Sequence, residues 1–122
     1  MAVTVEDVRE VARGLQRSYE VVVRGRIKFR VGQIVYLALS RDQTLMGFAF
    51  PKEERDALVG TWPDKYRLPE GHDLRYHWAV VRLDAIDRDE LRELVIDAWA
   101  MVVPKFLSRP YRVTDEDDRP TP

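Results

Sequence analysis

Between Tyr19 and Phe50 the apolar residues recur every second position, and this run constrains the fold more than any other part of the chain. "YEVVV", "IKFRV", "IVYLALS" and "LMGFAF" are rich in β-branched and aromatic residues, as strands are. The breaks between them are short: "RG" at 24–25, "GQ" at 32–33 and "RDQ" at 41–43. Links of two or three residues leave no room for a crossover helix, so consecutive strands must be antiparallel. The spacing predicts a meander of three or four strands.

Helical periodicity flanks this run. Thr4 is placed to cap a helix running to about Leu15, with Glu6 and Asp7 in its first turn and Val8, Val11, Ala12 and Leu15 on one stripe. After the strands, "PKEERDALVG" predicts a short helix that Pro51 opens and Gly60 stops. Residues 61–74 are irregular, with "KYRL" as a brief strand. "HWAVVRLDA" is a clearer strand, with Trp78, Val80 and Arg82 on one face and Ala79, Val81 and Leu83 on the other. The last helix follows Asp87, a cap with Glu90 three residues on. Leu91, Leu94, Val95, Ala98, Trp99, Val102 and Val103 keep the helical repeat as far as Pro104, and Trp99 is expected in the core. A central antiparallel sheet covered by helices is an α+β two-layer sandwich. Residues 1–107 form one domain, and residues 108–122, with "DEDD" and three prolines, read as an acidic, loosely attached tail.

The totals bound the function. A chain of 122 residues is a single domain able to bury its own core. It has no cysteine, which removes disulfides, thiolate metal sites and a cysteine nucleophile, and fits a reducing cytoplasm. No basic segment leads into an apolar run at the N-terminus, so no signal peptide is expected, and no apolar stretch reaches the ~20 residues of a membrane span. The net charge is −1 and the pI about 6.1, against the basic balance of a dedicated nucleic-acid module. The charge is unevenly spread, however: residues 1–50 carry +3 and residues 51–122 carry −4.

The basic side of that asymmetry centres on "VVVRGRIKFRVG". Arg24, Arg26, Lys28 and Arg30 occupy alternate positions, ~6.6 Å apart on one strand face, with Arg13 and Arg17 as further candidates. Such a row can track a phosphate backbone and give salt-dependent, sequence-independent binding of nucleic acid. It is also what the wet face of a sheet looks like, and a turn at Gly25 would separate Arg24 from the other three. Trp62, Trp78, Trp99, Tyr66 and Tyr76 read as core or its edge, with His77 a sheet residue beside Trp78; the alternative is a groove under the 61–77 loop formed by Trp62, Tyr66, Tyr76 and His77, a contact surface for a protein partner. No metal or other cofactor is expected, because His72 and His77 stand five apart, which no strand face or helix turn brings together. The first helix carries Glu6, Asp7 and Glu10 mixed with Arg9 and Arg13, an ordinary solvated face. Catalysis is not expected either: Ser18, Ser40 and Ser108 lack a nucleophile's context, and the six glycines are scattered singly.

Taken in order, "KFRVGQIVYLALS", "FAFPKEERDALV" and "YHWAVVRLDAIDRDELRELVIDAWAMVVPKFL" resemble the YjbR/MmcQ family over about residues 5–107. The chain departs from the family pattern at Gln33–Ile34, where members often have Gly-Lys, and at Leu74–Arg75, where Asn-Lys is frequent. The resemblance implies an α-β(3)-α-β(2)-α fold, related in outline to frataxin-like and secretion-chaperone-like domains. It also implies a non-enzymatic protein commonly labelled DNA-binding, from a proposed "double wing" reading of the fold.

Overall fold

The computed structural model describes residues 2–112. The strands are β1 (Ser18–Val23), β2 (Arg26–Val31), β3 (Ile34–Leu39), β4 (Leu45–Ala49), β5 (Tyr66–Arg67) and β6 (Trp78–Arg82). They form one antiparallel sheet in the order β1-β2-β3-β4-β6-β5. The helices are α1 (Val5–Arg13), α2 (Lys52–Thr61), α3 (Arg88–Ala100) and α4 (Lys105–Ser108). This is the α+β arrangement expected, with four strands before α2 where the family outline has three. No helix among the described residues is long and apolar enough to cross a membrane.

The turns follow from their residues. Arg24 and Gly25 both have positive φ, +53° and +79°, as a two-residue type I′ hairpin requires. Gly32, at φ +60°, takes the first position of the next two-residue link. The β3–β4 loop is organised by Asp42, whose Oδ1 accepts from the Ser40 hydroxyl at 2.7 Å and from the hydroxyl and amide of Thr44 at 2.7 and 3.1 Å. The register slips once, between Phe29 and Arg30, where β3 carries an extra residue, Tyr36. The bulge turns the Tyr36 ring into the core, where its hydroxyl meets Ser18 Oγ. Burial pushes the phenol up to about 12, against the opposing pull of the Ser18 bond.

One face of the sheet is the core face. Phe29, Leu37, Leu39, Met46, Phe48, Ala79 and Val81 point to it and are buried beneath α1 and α3. Arg9 on α1 grips Glu20 on β1 through two nitrogens, at 3.1 and 2.9 Å. Trp99 is fully buried, and its indole N–H donates to the Gln16 carbonyl at 2.9 Å. Asp87 caps α3 by accepting from the Glu90 amide at 2.9 Å. The Glu90 carboxylate does not complete a capping box; it accepts from Lys65 Nζ at 2.9 Å and from the Tyr66 hydroxyl, tying α3 to the two-residue strand β5. α2 runs through Gly60 to Thr61, so that glycine does not stop it. The helix ends because Trp62 precedes Pro63, which disfavours helical backbone at 62. Beyond Pro104 the chain remains helical through α4 and a 3-10 turn at Arg109–Arg112, and the Tyr111 ring meets Trp99 edge to face at 5.1 Å. The "DEDD" run lies outside the described residues.

Asp42 gives the fold a pH dependence. Its bonds to the Thr44 and Ser40 side chains hold its carboxyl below the ordinary Asp value. It therefore stabilises the fold above that value, about 3.9, and the contribution is lost as pH falls through the depressed folded one. Urea midpoints measured between about pH 5 and pH 2 should fall more steeply for the wild type than for Asp42→Asn; parallel curves would refute this.

Candidate functional site: the open face of the sheet

Strand alternation sends the other set of side chains to the face that α1 and α3 leave bare. Arg26, Lys28 and Arg30 project there from β2, Ala38 from β3, Gly47 and Ala49 from β4, and Trp78 and Val80 from β6. The pleat thus keeps three of the four expected cations on one surface. Arg24 is not with them, because it occupies the hairpin turn. Arg13 lies in α1 and Arg17 in the turn that follows it.

The segment after β5 walls this face. Residues 67–77 arch beside the sheet and leave two adjoining cavities of about 460 and 260 Å3. Arg26, Ala38, Asp73 and Trp78 line both, so the two form one slot. Lys28, Tyr76 and His77 belong to the larger part. The floor is flat because its residues are small. A Cβ on Gly47 would stand 2.5–2.8 Å from the Trp78 indole, so only glycine lets that ring lie against the strand.

The cations that β2 sends to this face are half-buried and poorly neutralised, and of them Arg26 and Lys28 line the slot. Arg26 Nε donates to the Leu39 carbonyl at 3.0 Å. Arg30 has a buried Nε with no hydrogen-bond partner. Among the described residues, neither arginine nor Lys28 has a carboxylate within 4.0 Å. Arg67 adds a cation on the same face, opposite Val80. Asp73 is the acidic group common to both parts of the slot.

α2 fixes the wall. Arg55 is only 7% exposed and pairs with no carboxylate among the described residues. Its guanidinium donates instead to the carbonyls of Leu74, Tyr76 and Trp78, at 3.0–3.1 Å. These bonds satisfy the two terminal nitrogens and offset part of the cost of burying the charge, while Nε has no hydrogen-bond partner among the described residues. His77 Nδ1 accepts from the Lys52 amide at 2.9 Å, a cap that Pro51 has no side chain to provide, and Lys52 Nζ donates to the Arg75 carbonyl at 3.1 Å. Nothing in the sequence signals either device, because the partners stand 19–25 residues apart.

The four residues of the aromatic-groove reading are not brought together. Tyr76, 60% exposed, and His77 line the slot. Tyr66 is 4% exposed and faces the core, because its register partner is Val81 and its hydroxyl donates to Glu90. Burial, with the Glu90 carboxylate adding to it, raises that phenol far above the usual tyrosine range. Trp62, 53% exposed, sits past the end of α2, beneath Lys65 Nζ at 5.2 Å from its ring. Trp78, read from the sequence as core or its edge, holds the central place. Among the described residues no three His, Asp or Glu side chains gather as metal ligands would.

A family model described as YjbR matches residues 13–101. The chain belongs to the YjbR family. A crystal structure of a Deinococcus radiodurans protein assigned the DUF419 domain is similar to it in fold, with a TM-score of 0.72 and 22% identity over 88% of this chain and 86% of that one. No curated protein matches the sequence. The match to the YjbR model takes in every strand and the whole of α2 and α3, and with them the floor of the slot and its 67–77 wall.

Two substitutions test how this YjbR domain builds its slot. Arg55→Leu leaves three carbonyls without their donor. Amide exchange across residues 70–77 should quicken by an order of magnitude or more while α3 and β4 stay protected, since a lost charge-assisted bond is worth ~1.5–3 kcal/mol. Unchanged exchange in that segment would show that Arg55 does not hold it. Gly47→Ala should lower stability by ~1–3 kcal/mol in urea melts, because the Trp78 ring must leave the floor; Val80→Ala, with no such clash, serves as the comparison.

Proposed function

We propose that this domain binds nucleic acid on the open face of its sheet and acts by binding rather than by catalysis. The observation that carries the reading is the set Arg26, Lys28 and Arg30, spaced along one strand on one face and without carboxylate partners among the described residues. Cations in that state are set to exchange water and counterions for phosphates. Arg67 extends the positive surface across the sheet. With a net charge of −1, the rest of the surface adds no general attraction, so affinity rests on this face and falls with salt.

A second reading has its own support. Trp62, Leu68 and Leu74 are exposed apolar groups at or near the 61–77 loop, and such groups suit a protein partner. The two readings separate by charge, because the apolar surface does not depend on Arg26 or Lys28.

Fluorescence anisotropy with a labelled oligonucleotide at low salt tests the proposal. Binding should weaken steeply as salt rises and should be lost in Arg26→Glu/Lys28→Glu, whose melting curve confirms that it folds. Absence of binding by the folded wild type at low salt, or binding by the double variant equal to wild type, would refute it.

A further inference from the structure

We infer that the slot between the sheet and the 67–77 wall takes an unpaired strand, with a base against Tyr76 and Trp78 and the backbone along Arg26 and Lys28. This rests on the nucleic-acid reading above and narrows its substrate class. Three observations point to it.

The first is where the cations stand. Arg26 and Lys28 do not crown a ridge; they are half-buried and line a cavity of about 460 Å3, across from Asp73 and Tyr76. A duplex carries its phosphates on the outside of a stiff rod, and a rod meets protruding cations better than recessed ones. A single strand is flexible enough to enter and lay its backbone along the floor. The second is the aromatic content. Tyr76 is exposed by 60% at the slot, and Trp78 follows two residues later at the start of β6 and lines the same cavity, so two π surfaces border the cations. Stacked bases need such platforms, and a paired base cannot use them without leaving its helix. The third is polarity. Asp73 faces the slot opposite the cations and has no side-chain bond among the described residues. A carboxylate there repels phosphate but accepts from the amino groups of a base. The slot therefore has a cationic side suited to backbone and an acidic, aromatic side suited to base edges.

Anisotropy titrations of a labelled 12-nucleotide single strand, in DNA and in RNA form, against the same sequence annealed to its complement provide the test. The single strand in at least one form should bind on the order of tenfold more tightly than the duplex. Tyr76→Ala, a change at an exposed side chain, should weaken the single strand on the order of tenfold and leave the slope of log K against log salt unchanged. Arg26→Gln should lower that slope by about 0.7. A duplex bound as tightly as the single strand, or a Tyr76→Ala variant with unchanged affinity, overturns the inference while leaving the nucleic-acid reading in place. Binding of neither form by the folded protein overturns both.

Discussion

The pleat of a β-strand sends neighbouring side chains to opposite faces, and this protein covers only one of those faces with long helices. Phe29, Leu37, Met46, Phe48 and Val81 meet α1 and α3 and make the core. The residues between them are thereby committed to the other side, whatever their chemistry. Arg26, Lys28 and Arg30 are there because Ile27, Phe29 and Val31 are buried. A slip of one residue would bury three cations and expose the core of β2, so the register of the fold and the composition of the slot are one constraint. The single bulge at Tyr36 respects it, since the extra residue is absorbed by the core face and the strands on either side keep their orientation.

This explains which features were legible in the sequence. Alternation and periodicity are local, so the strands, the core face, the end helices and the burial of Trp99 could be read directly, and Gly25 marked the turn that removes Arg24 from the stripe. The slot was legible only on its sheet side. Its wall depends on contacts that sequence spacing does not encode. Arg55 looks like a surface residue of an amphipathic helix, and only the arrival of the 74–78 carbonyls makes its burial possible. The groove reading fails at Tyr66 for a related reason, and the core reading holds. A strand of two residues has too little alternation to show which way it faces, and Glu90 on α3 settles the matter from 24 residues away. Gly60 misled in another manner: helix propensity at one position yielded to the stronger constraint of Pro63 three residues on.

The two sides of the slot also differ in how they are held. The floor is a continuous ladder of strand hydrogen bonds, backed by the core and by Trp99. The wall is a segment of 3-10 turn and irregular chain, attached chiefly through Arg55 and Lys52 of α2, the latter bonded to the wall's own His77. Local opening draws on elements of this second kind, with few apolar contacts and side-chain fastenings. A ligand entering the slot meets a rigid surface on one side and an adjustable one on the other.

The Arg55 fastening has a consequence for the conditions under which the wall stays in place. Loops tied down by carboxylates come loose in acid, when the carboxylates take up protons, and surface ion pairs fade as salt is added. Backbone carbonyls have no proton to gain and no counterion to attract. A buried guanidinium held by three of them is secured by fixed dipoles, so this fastening is tied to the folded state of the chain and not to the composition of the buffer. The cationic side of the slot is the opposite case, open to the ions in solution. One cavity therefore combines an ion-sensitive surface with a wall whose Arg55 fastening is indifferent to ions.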